Sequence, residues 1–342
     1  MKVVQILPEL DEGGVERHVL WLANGLEERG HGVTVVSAGG RLEAELTGAE
    51  HVRLPVHLKN PATAAWAAAR IARLAVKRNI QVLHAHSRVP AWIAWWASRI
   101  SGVPWVVTCH AFYSKNAGII PYRRARTVIC VSEAVRDYFA DLLPGADLRV
   151  IYNGLPPSGH RWTRPNEARL LFIGRLTPLK GLDTALEALA RVAGDWRLDV
   201  AGDGPQMEEL RRTANRLGIA DRVTFHGHVD DPELWLSRCS CLLFPSRQEG
   251  MGQVLMRAVR MGVPVLASDI PAVRELALSP EGLTPPGDVE AWRSAIARFL
   301  ENGESVARFD ARRIPTIEEM TDALLDVYGE AARRQGVLSC RR

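Results

Sequence analysis

Three stretches in the second half of the chain each run from apolar, β-rich residues into a glycine-bearing loop and out into a helical pattern. Residues 169–173 close on Gly174-Arg175-Leu176-Thr177-Pro178-Leu179-Lys180-Gly181, and residues 197–200 on Ala201-Gly202-Asp203-Gly204-Pro205. Residues 239–244 close on Pro245-Ser246-Arg247-Gln248-Glu249-Gly250-Met251-Gly252. Strands separated by helices predict a parallel, doubly wound sheet. In such a sheet the strand-to-helix loops share one edge, at the carboxyl ends of the strands, where ligands bind. Two cations, several glycines and one carboxylate are thereby expected on a single edge.

The first half alternates in the same way, with strands expected at 2–7, 32–37, 81–85, 105–108, 128–131 and 148–152. Helices are expected at 15–29, 61–77, 90–100 and 132–142. Residues 155–166 hold Pro156, Pro157, Ser158, Gly159, Thr163 and Pro165 with little hydrophobic periodicity, and read as a linker. The alternation then resumes and runs to about residue 300. A chain of 342 residues suits two domains, expected at 1–155 and 165–305. Pro315 interrupts, and Thr316 with Glu319 forms a capping-box signature for a last helix over 317–334. That helix is expected to pack back on the first domain.

A hydrophobic fraction of 47% with 24% charge excludes global disorder. The five cysteines, Cys109, Cys130, Cys239, Cys241 and Cys340, are an odd set lying mostly in strand-like runs, as expected of reduced thiols in the cytoplasm. Cys239-x-Cys241 has no second Cys or His pair at zinc spacing, so no metal is expected. No segment reaches the roughly 18 apolar residues that span a bilayer. Residues 1–7 are too short for a signal peptide and read as the first strand. The expected location is cytoplasmic.

Arg175 and Lys180 stand five apart, with Lys180-Gly181 opening a helix. Two cations and the free N–H groups of a helix start suit a diphosphate, whose negative charge grows as a bond to it breaks. The plain alternative is a basic turn paired with a surface acid. Glu249 follows a strand inside Glu249-Gly250-Met251-Gly252, where a carboxylate can accept hydrogen bonds from two sugar hydroxyls and glycines let backbone N–H groups approach. Its plain alternative is an acid complementing a helix dipole.

Taken together, these blocks and Gly262-Val263-Pro264-Val265 resemble glycosyltransferase family 4, the retaining enzymes of the GT-B fold. The resemblance extends through Gly13-Gly14-Val15-Glu16, His84-Ala85-His86, Thr108-Cys109-His110, Ser132-Glu133 and Asn153-Gly154, so it covers residue 3 to about 290. It implies an α/β chain of two Rossmann-like, doubly wound parallel-sheet domains facing across a cleft. The implied reaction moves a sugar from a UDP- or GDP-linked donor to a hydroxyl of a cell-envelope glycan or lipid-linked acceptor, with no cofactor and no metal.

Position by position, the resemblance assigns the diphosphate to Arg175 and Lys180 and the donor-sugar hydroxyls to Glu249. Backbone N–H groups around Gly250, Met251, Gly252 and Gln253 would contact the same sugar. His228 and Val229 would border the base, Gly202 would bind the donor, and Gly13 and Gly14 would pass near the phosphates. His110 would project beside the sugar on the acceptor side, although a buried, backbone-bonded histidine is the plain alternative. His84 and His86 are expected to face opposite ways, with His86 the one reaching the acceptor region. Metal independence has separate support, because no Asp-x-Asp pair occurs anywhere in the sequence.

One position departs from the family. Where a second glutamate usually follows, eight residues after the first, this chain has Arg257, which cannot accept a hydrogen bond from ribose. Ribose is then held differently, the arginine contacts phosphate, donor affinity is low, or a neighbour makes the swap harmless. A sugar-nucleotide epimerase of the same fold and a catalytically weak sugar-nucleotide-binding protein are the alternative readings.

Between Glu50 and Glu133 there is no acidic residue but twelve basic ones. Trp66, Arg70, Arg73 and Lys77 fall on one face of their helix, and Ala64, Ala68, Ile71 and Ala75 on the other. Such a face suits an anionic membrane surface or a phosphorylated acceptor, which makes peripheral attachment at the inner face of the membrane an expectation. Trp92, Trp95 and Trp96 would add interfacial anchors or fill the core. No nucleic-acid partner is expected, because the basic residues sit on α/β scaffolding without any recognition signature.

Overall fold

The protein is described by a computed structural model over residues 1–302 and 307–334. Cys340 lies outside the described residues. The chain divides into two compact units, Met1–Pro156 joined by the C-terminal residues from Pro315, and Pro157–Ile314.

The first unit carries β1 (Lys2–Ile6), β2 (Gly32–Ser37), β3 (Glu50–Arg53), β4 (Val82–His86), β5 (Trp105–Cys109), β6 (Thr127–Cys130) and β7 (Asp147–Val150). They form a parallel sheet in the order β3-β2-β1-β4-β5-β6-β7. The central strands are buried on both faces, and every residue of β4 is buried, His84 and His86 included. The sequence patterns missed β3, whose Glu-His-Val-Arg lacks an apolar run. It forms as an edge strand paired to β2 alone, half exposed.

Helix Ile317–Arg334 belongs to this unit. Met320, Leu324, Val327 and Tyr328 enter the same core as Val19, Leu22 and Leu26 of helix Gly14–Glu28. Its start carries the capping box: the Glu319 N–H donates to Thr316 Oγ1 at 3.2 Å and the Thr316 N–H to Glu319 Oε2 at 2.8 Å. Farther along, Arg149 forks onto the Glu330 carboxylate at 3.0 and 2.6 Å.

The second unit holds β8 (Arg169–Ile173), β9 (Arg197–Ala201), β10 (Val223–Gly227), β11 (Cys241–Phe244) and β12 (Val265–Ala267), all parallel, in the order β10-β9-β8-β11-β12. Its core gathers Leu170, Phe172, Leu186, Trp196, Leu243 and Trp292. Cys109, Cys130, Cys239 and Cys241 are free, buried thiols.

Candidate active site

The strand order of the second unit sets β8 between β9 and β11, so the three glycine-bearing loops are neighbours at the carboxyl edge. Backbone bonds lock them together. Leu176 N–H donates to Asp203 O at 2.8 Å, Gln206 N–H to Leu176 O at 3.1 Å, and Arg247 N–H to Leu179 O at 2.7 Å. Two glycines are required by proximity: a Cβ at Gly202 would stand 2.0 Å from Gly174 O, and one at Gly181, where φ is 67°, 2.0 Å from Pro245 O.

This interlock brings Lys180 Nζ to Glu249 Oε1 at 2.5 Å, although 69 residues separate them in sequence. Ser246, buried at the end of β11, donates its hydroxyl to the same Oε1 at 2.7 Å. The Glu249 carboxylate is thus held on one oxygen, while Oε2 makes no hydrogen bond among the described residues. Arg175 is exposed and forms no ion pair among the described residues. Arg247, from the same loop as Glu249, instead forks onto Asp183 at 2.9 and 2.7 Å and braces the turn at Pro178.

Gly252 takes φ 77° as the cap of helix Gln253–Met261, which begins at this edge. Gly250 precedes it, partly exposed. Met251 is 3% exposed, with its side chain packed inward. His228 and Val229 follow β10, where His228 is exposed beside Asp230.

Arg257 has a partner that sequence spacing did not reveal. Its Nη1 donates to Glu233 Oε1 at 2.8 Å, and the other carboxylate oxygen accepts from Ser158 at 2.7 Å. The position that usually brings a carboxylate here brings a cation, and helix Pro232–Arg238 supplies the anion that balances it.

In the first unit, Gly13 caps helix Gly14–Glu28 in extended backbone, with the Glu16 carboxylate folded over it. His84 and His86 do not face opposite ways. Being two residues apart on a strand they share a face, and their ring centroids are 4.0 Å apart. His86 Nδ1 lies 3.0 Å from His110 Nε2, and His86 Nε2 lies 2.6 Å from Gln5 Oε1. His84 bonds Tyr328 at 2.6 Å and Thr108 at 2.7 Å. His18 completes the group, its ring centroid 4.9 Å from that of His110. The only trace of it in sequence was a polar residue on an otherwise apolar helical stripe.

Burial sets the charge of this cluster. It pushes the His18 imidazole down to about 4 against the opposing influence of Asn153. Burial, and then the charges of neighbouring histidines, holds His84, His86 and His110 well below the usual imidazole range. All four are neutral at pH 7.

On helix Pro61–Lys77, Trp66, Arg70, Arg73 and Lys77 are exposed while Ala64, Ala68, Ile71 and Ala75 are buried. The partly buried Trp92 meets Trp95 and Trp96, each at a ring-centroid distance of 5.4 Å, one tilted and one edge-on. Among the described residues no helix is long and apolar enough to cross a membrane.

A family model described as "Glycosyltransferase Family 4" matches residues 12–158, and one described as "Glycosyl transferases group 1" matches residues 167–302. The chain belongs to glycosyltransferase family 4. This glycosyltransferase is 28% identical to a glycogen synthase of Mycobacterium tuberculosis, with 88% of this chain and 86% of the relative covered. It is 25% identical to the lipopolysaccharide core biosynthesis glycosyltransferase LpsE of Rhizobium meliloti, covering 92% and 96%. Among solved structures it superposes on Anabaena HepE, determined in complex with UDP-glucose, with a TM-score of 0.78, 22% identity and 99% and 100% coverage. Its two parallel-sheet α/β domains are those of the GT-B fold.

Proposed function

We propose that this glycosyltransferase moves a sugar from a UDP- or GDP-linked donor to a hydroxyl of a cell-envelope glycan or lipid-linked acceptor, with retention and without a metal. The observation that carries the reading is the Lys180–Glu249 contact at the second unit's loop edge, with Arg175 exposed in the same loop as Lys180. Lys180 and Arg175 take the charge that develops on the departing diphosphate, the service a divalent ion performs elsewhere. Glu249, pinned through Oε1, offers Oε2 to a donor-sugar hydroxyl. The anomeric C–O bond to phosphate breaks and a bond to the acceptor oxygen forms on the same face. The acceptor proton passes to the leaving phosphate, and the products are the glycoside and a nucleoside diphosphate. UDP is a candidate nucleotide because HepE was solved with UDP-glucose. An envelope acceptor is supported by the lipopolysaccharide relative.

Mass spectrometry of products from UDP-, GDP- and ADP-sugars incubated with membrane extract in EDTA tests this. The expected result is one sugar residue added to an acceptor for each nucleoside diphosphate released. A new sugar nucleotide formed from donor alone would overturn the transferase reading in favour of epimerisation.

The same reading places the enzyme at the cytoplasmic surface of an anionic membrane. Trp66 is 52% exposed, and beside the helix lies a groove of about 290 Å³ lined by Val52, Leu54, Arg70, Arg73 and Lys77. Each basic side chain near such a surface contributes about 1 kcal/mol. Reversing Arg73 and Lys77 to glutamate should therefore weaken co-sedimentation with anionic vesicles by at least ~10-fold. Undiminished binding, or equal binding to neutral vesicles, would refute the attachment.

A further inference from the structure

Ser87 follows β4 at the carboxyl edge of the first unit's sheet with φ 116° and ψ 171°. Residues other than glycine rarely occupy that backbone region, and they keep it only where the surroundings fix it, most often at a site whose geometry matters. Here it sets the direction of Arg88, the first residue of helix Arg88–Ser101. Two further constraints hold the same side chain. The guanidinium lies over the Tyr113 ring, 5.6 Å from its centroid. The stem runs against Gly118, where a Cβ would stand 3.0 Å from Arg88 Cδ. Tyr113 is itself fixed, its carbonyl accepting from the Tyr138 hydroxyl at 2.7 Å and its ring packing on Tyr122 and Phe139.

An arginine held from three directions usually has an acid to hold it. Arg88 forms no hydrogen bond and no ion pair among the described residues, and the stretch 51–132 around it contains no acid. It is partly exposed. A guanidinium stacked on a ring keeps its planar fork of N–H donors free at the edge, in the geometry that carboxylates and phosphates accept. Lys115 is placed in the same way, its Nζ 5.8 Å from the Tyr138 ring centroid and also without an acid partner among the described residues. Phe112, Tyr113 and Tyr138 are only partly buried, so ring surface is available next to these cations. Fixed cations beside aromatic surface suit a ligand that carries both a negative group and apolar C–H faces, as an acidic sugar or a sugar phosphate does.

We infer that Arg88 is the residue by which the first unit recognises an anionic group, a carboxylate or a phosphate, on the acceptor sugar, with Lys115 adding to the attraction. In the transferase reading, on which this rests, the first unit takes the acceptor, and Arg88 narrows that acceptor to a negatively charged glycan or sugar phosphate. Arg88 makes and breaks no bond. It binds and orients, so its contribution falls on the acceptor KM more than on kcat. The group is distinct from the basic face of helix Pro61–Lys77, since it sits in the loops after β4 and β5.

The test has a binding arm and a turnover arm. Ligand-observed NMR on the full chain compares methyl β-D-glucuronide, glucose 6-phosphate and the neutral methyl β-D-glucoside. At least one anionic probe should bind about 10-fold more tightly than the neutral one, the gain expected of a charge-assisted fork, and the probe that gains names the group. In Arg88→Met, which keeps the stem against Gly118, that preference should vanish while the neutral probe binds as before. Arg88→Lys keeps the charge without the fork and should retain part of it. With membrane extract as acceptor, Arg88→Met should raise the acceptor KM by about 10-fold or more. Equal affinity for all the probes, or an anionic preference kept in full by Arg88→Met, would overturn the assignment. Failure of the native chain to transfer sugar to any extract would count against the transferase reading instead, and the binding arm would still decide the role of Arg88. Should Arg88→Met fail to fold, the native chain and Arg88→Lys decide.

Discussion

Lys180→Ala should reduce turnover by about 10²- to 10³-fold, the usual cost of removing one group that stabilises developing charge. The ammonium stands 2.5 Å from Glu249, in the loop edge where the leaving diphosphate is proposed to sit. Charge on that diphosphate grows toward the transition state, so the loss should fall on kcat as well as on kcat/KM. A second role has to be separated from this one, because Lys180 also neutralises Glu249. In the double variant Lys180→Met with Glu249→Gln no carboxylate is left unpaired. If Lys180 serves only as the counter-ion of Glu249, the double variant should be no worse than Glu249→Gln. The leaving-group role requires it to be markedly slower. Steady-state rates of all three variants with a saturating donor read this directly, and a Lys180→Ala enzyme within a few fold of the native rate would refute the assignment.

The loop edge was legible in the sequence because its constraint is local. Gly181 and Gly202 are needed where another chain segment's carbonyl lies within a Cβ's reach, and that requirement shows as glycine at a helix start and at a strand end. The capping box at Thr316 and Glu319 was legible for the same reason, since both partners lie in one turn. What spacing could not reveal are contacts made by the sheet order. Lys180 meets Glu249 only because β8 and β11 are neighbours. The histidine cluster forms because β1, β4 and β5 are adjacent and the C-terminal helix inserts Tyr328 beside Gln5. His18 is one polar residue on an apolar stripe, and nothing in its own helix distinguishes it.

Arg257 is where family resemblance and structure make opposed forecasts. On resemblance alone, Arg257→Glu restores a carboxylate for ribose and should tighten nucleotide binding. The structure forecasts damage. Arg257 and Glu233 side chains are 12% and 11% exposed, and Glu233 has its second oxygen on Ser158. A glutamate at 257 would remove the cation that Glu233 needs and add a like charge in its place. Breaking a buried pair from one side costs about 3–5 kcal/mol, which for a unit of this size lowers the melting temperature by about 10 °C. Reversing both residues, Arg257→Glu with Glu233→Arg, should recover much of that loss, because the pair is re-formed between the same two helices. Thermal unfolding of the single and double variants, with nucleoside diphosphate affinity measured alongside, distinguishes the forecasts. A single variant as stable as the native chain and tighter for nucleotide would make Arg257 a lost ribose contact. A destabilised single variant rescued by the double makes it a relocated structural charge, and ribose must then be held by other groups.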